Sequence, residues 1–139
     1  MNETEFINEL KKIDIILTHN QINKFKIYYE YLIAYNKHTN LTSITTKEDV
    51  YLKHFYDSCL LTKTIDFNNI DTMLDIGCGA GFPGIVIKIL FPNIKLTLLD
   101  SNNKKTKFCE SLSMLLELDN VEIVNKRAEE YIIEKREYF

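Results

Sequence analysis

The chain has 139 residues, 45% of them hydrophobic and 27% charged, which fits one ordinary globular domain and excludes a disordered or low-complexity segment. A formal charge of −3 argues against a chain that grips nucleic acid by its overall field. Cys59, Cys78 and Cys109 form no CxxC pair, so no zinc or iron–sulfur ligand set is present and reduced thiols are expected. The opening MNETEFINELKK carries acids before its first base and has no apolar block behind it, which argues against a signal peptide. The longest apolar stretch, residues 84–91, is interrupted by Lys88 and is too short for a bilayer. These features predict a soluble, cytoplasmic protein with no membrane partner and no metal.

In chain order, the first half reads as helix. Phe6, Ile7, Leu10, Ile13 and Leu17 recur at three- and four-residue steps, as do Phe25, Tyr28, Tyr29, Leu32 and Tyr35. Asn20 or a neighbour is the expected cap of the second helix. A third helical segment starts at Thr46, where Thr46-Lys47-Glu48-Asp49 reads as a capping box, and runs through Tyr51, His54, Phe55, Cys59 and Leu60. Near residue 70 the period changes. Strands are predicted over 72–76, 95–100 and 121–124, with helices over 85–91 and 104–118 between them, the first stopped by Pro92. Alternation of this kind predicts βαβ units and a parallel α/β sheet. The expected organisation is an N-terminal helical segment, residues 1–66, packing on an α/β part, residues 67–139.

All four glycines, Gly77, Gly79, Gly81 and Gly84, fall within eight residues, between the first strand and the helix after it. Glycine used there and nowhere else implies a local need for backbone freedom and close approach. Two cofactor classes use a loop in this position. A dinucleotide pattern, G-x-G-x-x-G, runs from Gly79 through Gly81 to Gly84, but it begins two residues late, and Pro83 removes an amide that a pyrophosphate would want. An acid, one residue and then G-x-G-x-G fits better: Asp75, Gly77, Gly79, Gly81. This is the S-adenosyl-L-methionine (AdoMet) arrangement, in which Asp75 faces the methionine ammonium and the glycines admit the ligand. Asp100 ends the second strand at the distance expected of a ribose-binding acid; a helix-cap role is its alternative. Ala128 and Glu129, after the third strand, lie where an adenine edge would be read, or else form a polar loop and helix start.

Other residues have two readings each. His54 and Asp57 share a predicted helix face and suit acid–base or metal chemistry, or else structural and site support. Asn40 caps a turn or reaches a substrate base. Tyr28, Tyr29, Tyr31 and Tyr35 stack on bases or fill the core. Lys104, Lys105 and Lys107 hold phosphates or form a solvated helix face. Cys78 reads as a small filler within the loop. No catalytic residue is assigned, because no nucleophile or acid–base pair stands out.

Residues 35–44 (YNKHTNLTSI), Lys53-His54-Phe55-Tyr56-Asp57-Ser58, residues 74–84, Leu99-Asp100-Ser101-Asn102-Asn103-Lys104-Lys105 and Arg127-Ala128-Glu129 resemble, in order, the bacterial 16S ribosomal RNA guanine-N7 methyltransferase family, known as RsmG or GidB. The resemblance runs through almost the whole chain. It implies a Rossmann-like, AdoMet-dependent methyltransferase fold with an N-terminal helical segment, and cofactor contacts at Gly77, Phe82, Ala128 and Glu129. It further implies transfer of a methyl group to one guanine of 16S rRNA, the small ribosomal subunit as partner, and a monomer. Where the family continues into a fourth strand, this sequence stops, so the expectation is a sheet incomplete after its third strand. The first strand is then an open edge, and binding of AdoMet by this piece is expected to be weak or absent. The rivals are a small-molecule methyltransferase, a dinucleotide oxidoreductase and a non-catalytic remnant.

Overall fold

The computed structural model describes residues 1–136. Helix α1 (Glu3–Lys11) starts at Asn2, whose side chain accepts from the Glu5 amide in a full capping box. Helix α2 (His19–Asn36) is capped by its neighbour Thr18, which exchanges bonds with Gln21 in the same way. The third helical segment is composite. It opens as α3 (Lys47–Asp49), widens into a π-helix over Val50–Tyr56, returns as α4 (Asp57–Cys59) and closes in a 3-10 turn, Leu60–Lys63. Thr46 accepts from the Asp49 amide, but no return bond completes the predicted capping box. An aspartate is one methylene shorter than the glutamate that usually reaches back.

Beyond the short turn Phe67–Asn69, the predicted βαβ pattern appears as β1 (Thr72–Ile76), α5 (Gly84–Leu90), β2 (Lys95–Asp100), α6 (Asn103–Leu115) and β3 (Val121–Asn125). A further helix, α7 (Ala128–Arg136), starts at Ala128, the alternative reading of that position. The strands are parallel in the order β1-β2-β3, with Leu74 opposite Thr97 and Leu98 opposite Ile123. This is the Rossmann-like arrangement of a parallel sheet flanked by helices, preceded by a helical segment. Because the strands step across the sheet in one direction, right-handed crossovers place α5 and α6 on the same face. Helices α1 and α2 and the composite segment share one buried cluster with that layer, joining Phe6, Phe25 and Phe55 to Ile85, Leu98 and Phe108. Helix α5 therefore lies between sheet and helices, and Ile85, Val86, Ile87 and Ile89 are all buried, which explains its apolar character all round.

Lys88, the one charge in that helix, is 2% exposed. Its ammonium donates to the carbonyls of Pro92 (2.6 Å) and Ile94 (2.5 Å), closing the turn from α5 into β2. Burial lowers its pKa below the ordinary lysine value. Glycine being reserved for the loop, left-handed backbone elsewhere falls on Asp14, Glu117 and Asn120.

Candidate functional site

The β1–α5 loop rises from the carboxyl end of β1, and open α/β sheets bind ligands at the carboxyl ends of their strands. Its glycines divide into two pairs. Gly77 and Gly79 have φ of +74° and +53°, and a Cβ on either would meet nothing within 4 Å. At Gly81 (φ +93°) a Cβ would come within 2.7 Å of both Ile85 Cδ1 and the Tyr28 hydroxyl; at Gly84 it would come within 2.7 Å of Asp75 Oδ2 and Leu98 Cδ2. The close approach is thus protein packing at the second pair and open space at the first. A cleft of about 400 Å³ begins at that open space. It is lined by Ile76, Gly77, Leu99, Asp100, Ser101, Lys126, Arg127, Ala128 and Glu129, and its size lies within the usual range for small-molecule sites. A second depression, of about 630 Å³, lies between the α1–α2 turn and residues 62–68, at the side where β1 begins.

The cleft brings together Gly77, Asp100, Ala128 and Glu129. Gly79 joins them through its amide, which donates to Asp100 Oδ2 at 3.0 Å, while the Asn102 amide donates to Asp100 Oδ1 at 2.8 Å. The cap of α6 is Asn102, which accepts from the amides of Lys104 and Lys105, so Asp100 is left to the loop and the cleft. Asp75 and Phe82 sit outside the lining. Asp75 is 8% exposed and accepts the Gly84 amide at 3.0 Å, on the α5 side of the sheet. Burial raises its pKa to about 6; the Gly84 bond opposes that rise and Asp100 adds to it. Phe82 is half-buried, parallel to His54 with centroids 4.2 Å apart and to Tyr28 at 5.3 Å.

The remaining candidates resolve into packing or surface. Tyr28 is fully buried and donates to the Ala80 carbonyl at 2.6 Å, holding the loop from beneath. Tyr31 and Tyr35 pack on Phe108, and Tyr29 on Tyr51. His54 bonds with Thr42 Oγ1 at 2.9 Å, and Asp57 is exposed. Burial lowers the His54 pKa, which Asp57 partly offsets. Lys104 and Lys107 are exposed; Lys105 is half-buried. Cys78 is buried with its sulfur 4.0 Å from that of Cys109.

Sequence reading missed Lys126 and Arg127 as cleft-lining residues, although their position directly before Ala128 carried the signal. It also missed Tyr28 and Thr42 as partners of the loop and of His54, for which no local signal exists.

The residues fit an AdoMet-type donor better than a dinucleotide. In a dinucleotide site, a pyrophosphate takes the amides at the helix start. Here a carboxylate of the chain, Asp75, already takes the Gly84 amide. A family model described as rRNA small subunit methyltransferase G matches residues 21–139. The chain belongs to that family. Two curated relatives named ribosomal RNA small subunit methyltransferase G, from Lysinibacillus sphaericus (strain C3-41) and Bacillus subtilis (strain 168), are 49% and 46% identical over 131 residues. Another of that name, from Lactobacillus helveticus (strain DPC 4571), is 47% identical over 134 residues. Each alignment covers 94% of this chain and 55% of the relative, so the chain spans about half the length of the curated relatives it matches. Membership of a methyltransferase family implies a methyl donor of the AdoMet type. Among the described residues, no helix is long and apolar enough to cross a membrane.

Proposed function

We propose that this chain forms the AdoMet site of a methyltransferase that modifies N7 of a guanine in 16S ribosomal RNA, acting in the cytoplasm on the small subunit or its RNA. The observation that carries the reading is the split within the glycine loop. Gly77 opens onto the cleft, Gly79 has open space at its Cβ position and bonds the cleft residue Asp100, and Asp75 takes the helix amide that a phosphate would need. The family relatives carry the matching name.

In this reading Asp100 accepts from the ribose hydroxyls, and the backbone near Ala128 and Glu129 reads the adenine edge. Asp75 attracts the methionine ammonium with its second oxygen, directly or through water, and Phe82 walls the loop beside the methionine end. When bound, the cofactor supplies an electrophilic methyl group on a sulfonium. Guanine N7 presents an in-plane lone pair and has no proton to lose, so the protein supplies alignment and exclusion of water rather than a general base.

Calorimetric titration with S-adenosylhomocysteine, beside NAD and a Gly77→Arg variant, tests the site. The expected result is weak binding of S-adenosylhomocysteine alone, lost in the variant, whose side chain projects into the cleft. Binding of NAD in its place would sink the reading.

A further inference from the structure

The turn around Thr42 and the glycine loop are remote in sequence, yet one side chain joins them. The His54 ring lies on Phe82 with an interplanar angle of 7°, and its Nε2 is 2.9 Å from Thr42 Oγ1. Thr42 is itself fixed. Its hydroxyl accepts from the Ile44 amide at 3.1 Å, its amide donates to Asn36 Oδ1 at 3.1 Å, and its carbonyl accepts from Asn36 Nδ2 at 3.0 Å. On the loop side, Phe82 runs parallel to Tyr28, whose hydroxyl holds the Ala80 carbonyl.

A second observation points to the same residue. His54 lies inside the π-helical stretch Val50–Tyr56. Such wide turns are rare, and they concentrate where a side chain is aimed for function. Here the turn directs an imidazole at the loop while Tyr51 and Phe55 keep their places in the core.

We infer that His54 is a positioning residue: it locks Phe82, and through Phe82 the glycine loop, to the Thr42 turn. Asn40 and Ser43 on that turn are exposed, so the lock sets the relation between a solvent-facing polar turn and the methyl-donor loop. Its meaning for catalysis rests on the proposed function; the lock itself does not.

Amide spectra of the isotope-labelled chain test it. His54→Ala is expected to displace the resonances of both the 41–44 turn and the 79–82 loop. His54→Phe, which can stack but cannot bond Thr42, is expected to restore the loop and not the turn. A histidine that merely fills space would lower the melting temperature and leave the loop alone, so unmoved Gly79 and Gly81 amides in His54→Ala overturn the inference. Should that variant fail to fold, Thr42→Val replaces it. It is expected to move the ring signals of His54 and Phe82, and a still Phe82 ring overturns the inference equally. S-adenosylhomocysteine affinity is expected to fall about three- to tenfold in His54→Ala, the factor corresponding to one aromatic stacking pair, and to recover in His54→Phe. Absence of binding by the unsubstituted chain, which spans about half the length of its relatives, bears on the cofactor site and not on the lock, since the amide spectra decide the lock without ligand.

Discussion

At the scale of single residues, Asp75 carries a cost that function explains. Its folded pKa of about 6 against an ordinary 3.8 means the folded state keeps a proton that the unfolded chain has lost. The resulting stability is complete below 3.8 and drains away as pH rises through about 6. Asp75→Asn removes the buried charge and retains an oxygen for the Gly84 amide. It is expected to stabilise the protein at pH 7 by about 1–3 kcal/mol, with little gain at pH 4, as thermal melts at the two values would register. Affinity for S-adenosylhomocysteine should fall in the same variant. A matched pair of glycine substitutions separates ligand space from packing. Gly79→Ala adds only left-handed strain of about 1–2 kcal/mol, whereas Gly81→Ala adds that strain and a collision with Tyr28 and Ile85. The second should lower the melting temperature further, and equal losses would contradict the division of the loop.

At the scale of elements, helix α2 anchors the loop that β1 and α5 suspend. The Tyr28 hydroxyl is the buried donor to the Ala80 carbonyl, so Tyr28→Phe leaves that carbonyl unpaired at a cost of about 1–3 kcal/mol. Denaturant unfolding should show the loss, with the loop amides exchanging faster than those of β2. The strands and α5 were legible because the alternation from β to α leaves a local period, and the glycines announced the turn. The π-helical stretch was not. Its apolar residues Tyr51 and Phe55, with Cys59 of α4 after them, fall at four-residue steps that an ordinary helix satisfies equally. The wide turn is selected by what those side chains meet, not by their spacing.

At the scale of the whole molecule, within the described residues, the layering leaves β1 largely uncovered on the face away from α5. Asp75 points to α5, so Leu74 and Ile76 on either side of it point the other way, and they are 43% and 53% exposed. Within the described residues β1 pairs only with β2, so its outer edge is open as well. Exposed apolar edges recruit further strands. The chain is therefore expected to associate as its concentration rises, and Leu74→Lys with Ile76→Lys should suppress this in sedimentation velocity without changing the melting temperature by more than a few degrees. Persistence of association in the double variant would place the contact elsewhere, Met114 and Leu115 of α6 and Ile132 and Ile133 of α7 being further exposed apolar pairs.

The sequence by itself determined the three strands, the helices between them, and the concentration of acid and glycine at the carboxyl end of β1. Each of these is a local property, written in the period of apolar residues or in a backbone conformation that glycine adopts most readily. Only the tertiary structure decided which glycines face open space and which face Tyr28, Asp75 and Leu98. It alone paired His54 with Thr42 and Phe82 rather than with Asp57, and aimed Asp75 at α5. Those outcomes depend on right-handed crossovers stacking α5 and α6 on one face and on the N-terminal helices closing over them. The contacts that result join residues far apart in the chain, and no local pattern encodes them.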